Sequence, residues 1–557
     1  MREPGPDPHT LGEVLARAGD PAAFEAWQAR GQAAGWCRHP VRLVGASRRY
    51  DTSDGELVST FASTDLPDGM LLKACGQRRA TRCPTCSATY RADAFQLVAA
   101  GLRGGKGIPE SVAGHPAVFA TLTAPSFGPV HSTRDAGAHP RPCRTHPGGT
   151  CSHGRPRACT AMHDTDDSEI GQAICADCFD YAGAVVWNAL AGELWRRTTI
   201  ATRRALAAGA GIAASRINDH ARLSFTKVVE YQRRGVVHLH AVIRLDHPTD
   251  PAQIPTAPFD LNLLIRAVHQ AASATAVPYP ATPGISGHAR WGAQVDVHAI
   301  GGDGRGPGAV AAYLAKYATK STDPAGLLDH RLNEVDIERL DSRLTPHLAH
   351  MVRTAWDLGG RPELEHLRLR AWAHTLGFRG HWLTKSRAYS TTLTALRSAR
   401  SDWHATRNRA AKPPEETVAV GSWQFVGRGW KTAGDAWFAA TAGERTAEAR
   451  RTAARNAARR RPLLSHRRRR GDPMPRADKS RCPKPLLSVD DTATLLGQSR
   501  SSIYRAIERG DLPLPVFTIN GRLRIARRSV ERLLAGELPL STGEEGIVKG
   551  GAAGEQP

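Results

Sequence analysis

The sequence predicts an α+β chain in which an antiparallel sheet carries the chemistry, cysteine-rich segments staple the regions around it, and a small helix–turn–helix unit with a β-wing closes the C-terminal end. Three observations carry this. Apolar strand-like stretches at Ala117–Thr123 and Val236–Leu245 alternate with helical segments around 181–208 and 309–320. Nine of the ten cysteines fall in two groups, 37–86 and 143–178. Near the C-terminus two short helices, each opened by a serine, precede an Asn-Gly hairpin signal.

The 557 residues have room for several domains, and 41% hydrophobic content can bury real cores. Lys and Arg exceed Asp and Glu by 75 − 53 = 22, which favours a polyanionic partner, above all nucleic acid. No uninterrupted apolar run reaches the roughly 18 residues that read as a membrane span. The start, MREPGPDPHT, lacks the basic-then-apolar layout of a signal peptide. The expectation is a cytoplasmic protein without a membrane partner, whose cysteines bind metal and do not pair as disulfides.

In chain order, residues 1–110 read as a zinc-ribbon-like region and 111–330 as the chemical domain, with a Cys/His-rich insertion at about 140–180. Residues 331–442 form an extension, 443–483 a basic Arg-rich and Pro-rich linker, 484–540 the helix–turn–helix domain and 541–557 a disordered tail. Within the first region, Cys83-Pro-Thr-Cys86 has zinc-knuckle spacing, with Cys75 as third thiolate and Cys37 as fourth; His39 is a rival to Cys37. The insertion has a second knuckle, Cys175 and Cys178. Its partners lie among Cys143, Cys151, Cys159, His146, His153 and His163, with Cys143 or Cys151 plus Cys159 favoured. One or two structural Zn²⁺ ions follow, and Cys482 is expected to be a free thiol.

The stretch GVVHLHAVIRL (235–245) puts His238 and His240 on one side of a strand, about 6–7 Å apart, with Leu239 pointing into the core. Two imidazoles so placed can share a divalent cation. A turn at 232–235 would bring Glu230 beside them as a third ligand, a set that suits Mg²⁺ or Mn²⁺ and leaves positions open for a phosphate. Tyr313 and Tyr317, in AVAAYLAKYATK (309–320), are four apart and share a helix face. Lys316 and Lys320 flank them, and a phenol beside a lysine and a metal-bound phosphate suits phosphodiester chemistry. The strand FATLTAPS (119–126) places Thr121 and Thr123 on one face.

In order, FATLTAPS, HLH and YLAKYATK resemble the three motifs of HUH endonucleases, with the YxxxY form of rolling-circle initiators that carry two tyrosines. CGQRRATRCPTCSATYRADAFQLV (75–98), ICADCFDYAGAVVWNALAGELWRR (174–197) and LGFRGHWLTKSRAYSTT (376–392) are similar to the RepSA-type initiators of actinobacterial plasmids and integrative elements. The resemblance, over about 35–395, implies a ferredoxin-like catalytic sheet with the histidines on a central strand. It implies metal-dependent nicking of origin DNA, with Tyr317 as first nucleophile and Tyr313 as second. A 5′-phosphotyrosine and a 3′-OH primer would result. No G-x-x-x-x-G-K-[ST] loop is present, so helicase and polymerase would come from the host. A two-tyrosine transposase would use the same chemistry; a non-enzymatic regulator or directionality factor would use none.

The last domain begins at Ser488, capping a helix with Val489, Ala493 and Leu496 as its apolar face. Gly497 turns, Ser499 caps a helix over Arg500–Arg509, and Gly510 ends it. Strands at 516–519 and 523–525 flank Asn520-Gly521, and a last helix begins near Arg528. This order resembles the winged helix–turn–helix of excisionase and MerR-type domains. That resemblance implies Arg500, Ser501, Ser502 and Arg505 in a major groove and Arg522 and Arg524 on the backbone.

Overall fold

The computed structural model describes residues 6–136, 139–144, 149–301, 306–320, 330–407, 417–465, 486–519 and 522–534. The chain divides into two units. One comprises Gln77–Arg82 and Ser87–Leu396; the other comprises Met1–Gly76, Cys83–Cys86 and Arg397–Pro557.

The first of these units is built on a five-stranded antiparallel sheet. Its strands are β1 (Ala117–Leu122), β2 (Arg222–Tyr231), β3 (Val237–Asp246), β4 (Val295–Ala299) and β5 (Leu383–Lys385), in the order β4-β1-β3-β2-β5. β3 is central and buried on both faces, so even its His240, Arg244 and Asp246 side chains are buried among the apolar ones. The helices of this unit are α1 (Pro84–Arg103, from Ser87 onward), α2 (Tyr181–Gly209), α3 (Leu261–Ala274), α4 (Pro307–Lys320) and α5 (Pro346–Leu358). Odd-numbered residues of β2 and β3 (Val229, Tyr231, Leu239, Ala241, Ile243) join the core formed with α2, α3 and α5. Even-numbered Val228 and Val242 pack with Phe119 against α1 and α4. Trp187, Leu194, Leu239 and Leu264 are almost fully buried, each contributing about 1.5–3 kcal/mol of transfer free energy.

Helix starts follow local chemistry. Asp180 accepts from the Gly183 N–H at the head of α2, and Asp260 from the Leu263 N–H at the head of α3. Pro307 opens α4, where a missing N–H costs nothing. The β2–β3 turn is a tight 232–236 loop. Gly235 adopts φ +77 there, and a Cβ on it would sit 2.3 Å from the Met351 sulfur, so both backbone and space require glycine. Between β1 and α2 the described residues are irregular, apart from two three-residue strands at Arg134–Ala136 and His139–Arg141 and a single 3-10 turn at Ala176–Cys178.

The other unit contains a sheet in which Val41–Asp51 pairs antiparallel with Thr417–Arg428, Leu57–Ala62 and Leu71–Lys73. Trp27 is buried among Trp36, Trp430, Phe24 and Phe438, and Arg17 pairs with Asp435 through both carboxylate oxygens. The helix Ala433–Ser465 continues into the Arg/Ala tract read as linker. Ala, Arg and Glu are strong helix formers, so that stretch needs no packing signal to be helical. Near the C-terminus the helices Val489–Leu495, Arg500–Arg509 and Arg527–Leu534 enclose a core of Val489, Ala493, Ile503, Ile507, Ile525 and Val530. Strands Leu486–Leu487, Arg522–Ala526 and Val516–Ile519 form its sheet in that order. Ser488 and Ser499 cap as their positions predict, and Gly510 is left-handed at φ +73. Asn520-Gly521, the Arg467–Arg470 run, His146 and Cys482 lie outside the described residues.

Candidate metal centre and its tyrosines

The β2–β3 register sets Glu230 directly opposite His238 and Val228 opposite His240. One carboxylate oxygen of Glu230 is thereby 3.0 Å from His238 Nε2 and 3.3 Å from His240 Nε2. On the other side of β3, Thr121 of β1 pairs with His240, and its hydroxyl lies 3.1 Å from His240 Nδ1. Phe119 stacks on the same imidazole, centroids 5.8 Å apart and planes 8° apart.

Burial pushes the His240 pKa down, against the opposing pull of the Glu230 carboxylate. The two ring nitrogens of His240 face the Thr121 hydroxyl on one side and the Glu230 carboxylate on the other. Burial pushes the Glu230 carboxyl up, but His238 and His240 outweigh it and hold it below its ordinary value. Two imidazole nitrogens and a carboxylate oxygen therefore converge on one point, an arrangement that could hold a cation. The three ligand atoms all lie within 4.8 Å of one another.

Helix α4 brings the tyrosines to this point. The Tyr313 hydroxyl is 3.3 Å from His240 Nε2, and the Tyr317 ring centroid is 5.6 Å from that of His240. The two phenol rings are 4.5 Å apart, as i,i+4 spacing dictates. Lys316 is exposed with Nζ 5.5 Å over the Tyr317 ring. The side chain of Lys320 lies outside the described residues. The spacing of motifs anticipates this assembly. It does not reveal the contact of Thr121 with His240, whose only sequence signal is its place on the strand facing β3.

Cys37, Cys75, Cys83 and Cys86 converge in the unit that contains residues 1–76, with sulfurs 3.6–3.8 Å apart where contacts are close. Sulfurs at about 2.3 Å from a tetrahedral Zn²⁺ would be separated by about 3.8 Å, whereas a disulfide needs about 2.05 Å. His39 is not part of the group. The insertion departs from expectation. Cys175 and Cys178 converge with Cys151 and His153, while Cys143 and Cys159 converge separately with His131 and His163. Cys159 is thus no partner of the 175/178 knuckle, because it pairs in a short β-bridge with Arg144, beside Cys143. His131, upstream of the Cys/His-rich run, is the residue that sequence reading missed.

In the C-terminal domain, Arg500, Ser501 and Arg505 are exposed on one helix and Ser502 half-buried. Arg500 pairs with Asp490 at 3.1 Å. Arg522 is exposed and Arg524 half-buried on the adjoining strand. Among the described residues no helix is long and apolar enough to cross a membrane.

Residues 486–537 match the helix-turn-helix domain family. No solved structure is significantly similar to the chain. A replication initiator protein from Streptomyces ambofaciens is 41% identical over 450 residues, covering 78% of this chain and 93% of that protein. Residues 23–444 match the RepSA family, described as replication initiator protein of pSAM2, and the chain belongs to that replication initiator family.

Proposed function

We propose that the protein is a metal-dependent nicking and strand-transfer enzyme of the HUH type that starts rolling-circle replication of a plasmid or integrative element. The observation that carries this is the convergence of Glu230, His238 and His240 with the hydroxyl of Tyr313 and the ring of Tyr317 on one face of the sheet. We read that sheet as the ferredoxin-like catalytic sheet, residues 111–330 as the domain that supplies four of its strands and 331–442 as an extension that adds the edge strand β5.

A divalent cation held there, Mg²⁺ or Mn²⁺, would polarise the scissile phosphate and favour attack on it. Thr121 orients His240 through Nδ1, and Glu230 anchors both imidazoles. Tyr317 loses its phenolic proton and its oxygen bonds to phosphorus as the bond to the 3′ oxygen breaks. That oxygen takes up a proton and leaves as a 3′-OH, and the 5′ end stays on the tyrosine. The bond energy is conserved, so the second phenol, Tyr313, can cut and rejoin the displaced strand. Lys316 and Lys320 would offset the charge that develops. A specific contact favours a second order of events: Tyr313, whose hydroxyl is within hydrogen-bond distance of His240, attacks first.

The four-cysteine group holds a structural Zn²⁺. The C-terminal domain binds the origin duplex through Arg500, Ser501, Ser502 and Arg505, with Arg522 and Arg524 on the backbone. Host helicase and polymerase complete replication. The test is incubation of the full chain with labelled single-stranded origin DNA and Mn²⁺. A denaturation-resistant protein–DNA band, lost in the double variant His238→Ala/His240→Ala, is the expected result. Binding without that band, across several divalent metals, overturns the reading in favour of a non-enzymatic regulator.

A further inference from the structure

The segment between β1 and α2 has little that could fold it. Among its described residues from 128 to 178, the buried apolar side chains are Cys143, Cys151 and Cys175. Its backbone pairing consists of short bridges such as Val130–Ala173, Arg144–Cys159 and Thr150–Pro156 and two three-residue strands. A segment of that length without an apolar core needs another source of order, and metal coordination is a common one.

Two groups of four ligands stand in it. In the first, His131 Nδ1 and His163 Nε2 are 3.1 Å apart, Cys159 Sγ is 3.5 Å from His163 Nε2, and Cys143 Sγ is 4.0 Å from His131 Nδ1. In the second, His153 Nδ1 lies 3.3 Å from Cys178 Sγ, 3.9 Å from Cys175 Sγ and 4.0 Å from Cys151 Sγ. Ligands of a tetrahedral Zn²⁺ at about 2.0–2.3 Å would be separated by about 3.3–3.8 Å, close to these values. Along the chain the groups interleave: 131 and 143 belong to the first, 151 and 153 to the second, 159 and 163 to the first, 175 and 178 to the second. An ion in either group would tie together ligands that flank a segment of the other group.

The first group continues into the hairpin that bears the candidate catalytic ligands. Asp167 accepts from His163 Nδ1 at 2.6 Å, which leaves Nε2 for an ion. The backbone carbonyls of Asp167 and Thr165 accept from the Arg233 guanidinium at 3.1 and 2.6 Å. Gly171 packs so closely on Arg233 that a Cβ would lie 2.5 Å from its backbone. Arg233 sits in the turn between Glu230 and His238.

We propose that the insertion binds two zinc ions in interleaved sites, His131/Cys143/Cys159/His163 and Cys151/His153/Cys175/Cys178, and that it braces the Glu230–His238 hairpin through Arg233. The zinc count stands apart from the nicking reading, because it requires no DNA and no catalytic metal.

The test is zinc content of the full chain by elemental analysis. Cys143→Ser and Cys175→Ser should each lose about one ion per chain, and the double variant about two. If the two single variants and the double all lose the same one ion, or none, the two-site proposal is overturned. Because either variant could unfold the insertion, a ligand-preserving change gives a second reading. In the cobalt-loaded chain, His131→Cys should strengthen the thiolate-to-cobalt charge-transfer absorption without lowering the metal count; an unchanged spectrum removes His131 from the site. The brace is read by hydrogen exchange: Arg233→Ala should keep the zinc count yet speed exchange of the Gln232 and Gly235 amides. Unaltered exchange there overturns the brace and leaves the zinc sites standing.

Discussion

Replacing Thr121 by valine isolates one hydrogen bond at the candidate metal centre. Valine has nearly the shape of threonine, so packing against β3 is kept while the hydroxyl 3.1 Å from His240 Nδ1 is lost. His240 is 3% exposed, so the ring nitrogen gains no water in exchange. An unsatisfied buried polar group costs about 1–3 kcal/mol. Loss of a partner that orients a metal-ligating histidine lowers metal affinity about 10–100-fold, equivalent to about 1.4–2.7 kcal/mol. The two ranges overlap, and we predict Mn²⁺ binding weakened by about 10–100-fold, measured by calorimetric titration of the full chain. Thr121→Ser, which keeps the hydroxyl, should bind nearly as wild type. If Thr121→Val binds Mn²⁺ within about twofold of wild type while Glu230→Gln loses binding, Thr121 does not orient His240 and that part of the account is wrong.

Asn188 is fully buried and bonds three backbone groups: the carbonyls of Gly235 and Leu376 and the N–H of Val237. Asn188→Ala orphans all three and should cost roughly 3 kcal/mol or more in urea unfolding. His374 has its pKa pushed down from 6.5 to about 4, by burial first and by the nearby Arg79 and Arg331 next. The unfolded chain then takes up the proton that the folded one resists, so this contribution is present above pH 6.5 and lost as pH falls from there toward about 4. His374→Gln should flatten that acid slope in the unfolding midpoint. Arg505→Ala should weaken duplex binding about uniformly across sequences if it meets phosphate and lower the salt slope by about 1, read by fluorescence anisotropy at several salt concentrations.

Much of the candidate site is legible in sequence because its geometry is local. A period of two puts His238 and His240 on one side of a strand, a four-residue step stacks Tyr313 on Tyr317, and a four-residue turn returns Glu230 to His238. These rules hold whatever surrounds them. What is not legible depends on pairing between distant segments. The antiparallel union of Val41–Asp51 with Thr417–Arg428 leaves no local trace. Neither does the contact of Thr121 with His240, which follows from the β1–β3 register. The cysteines announce metal binding, yet which of them share an ion is decided by loop folding, and His131 has no sequence neighbour that marks it. Apart from the Cys175–Cys178 knuckle, the segments 174–197 and 376–392 stand out in the resemblance without any evident chemistry. The structure supplies a packing role for both: Asn188 holds the β2–β3 hairpin, and Tyr389 is buried with its hydroxyl on the Val98 carbonyl.

The covalent step admits a direct reading because Lys316 lies between the two phenols in sequence, so trypsin separates them. After reaction with single-stranded origin DNA and Mn²⁺ and nuclease trimming, mass spectrometry of the tryptic digest should find a nucleotide-phosphate adduct on the peptide Tyr317–Lys320. An adduct on the peptide ending at Lys316 would make Tyr313 the first nucleophile. An adduct on neither peptide, from protein that binds the DNA, would contradict tyrosine-mediated nicking altogether.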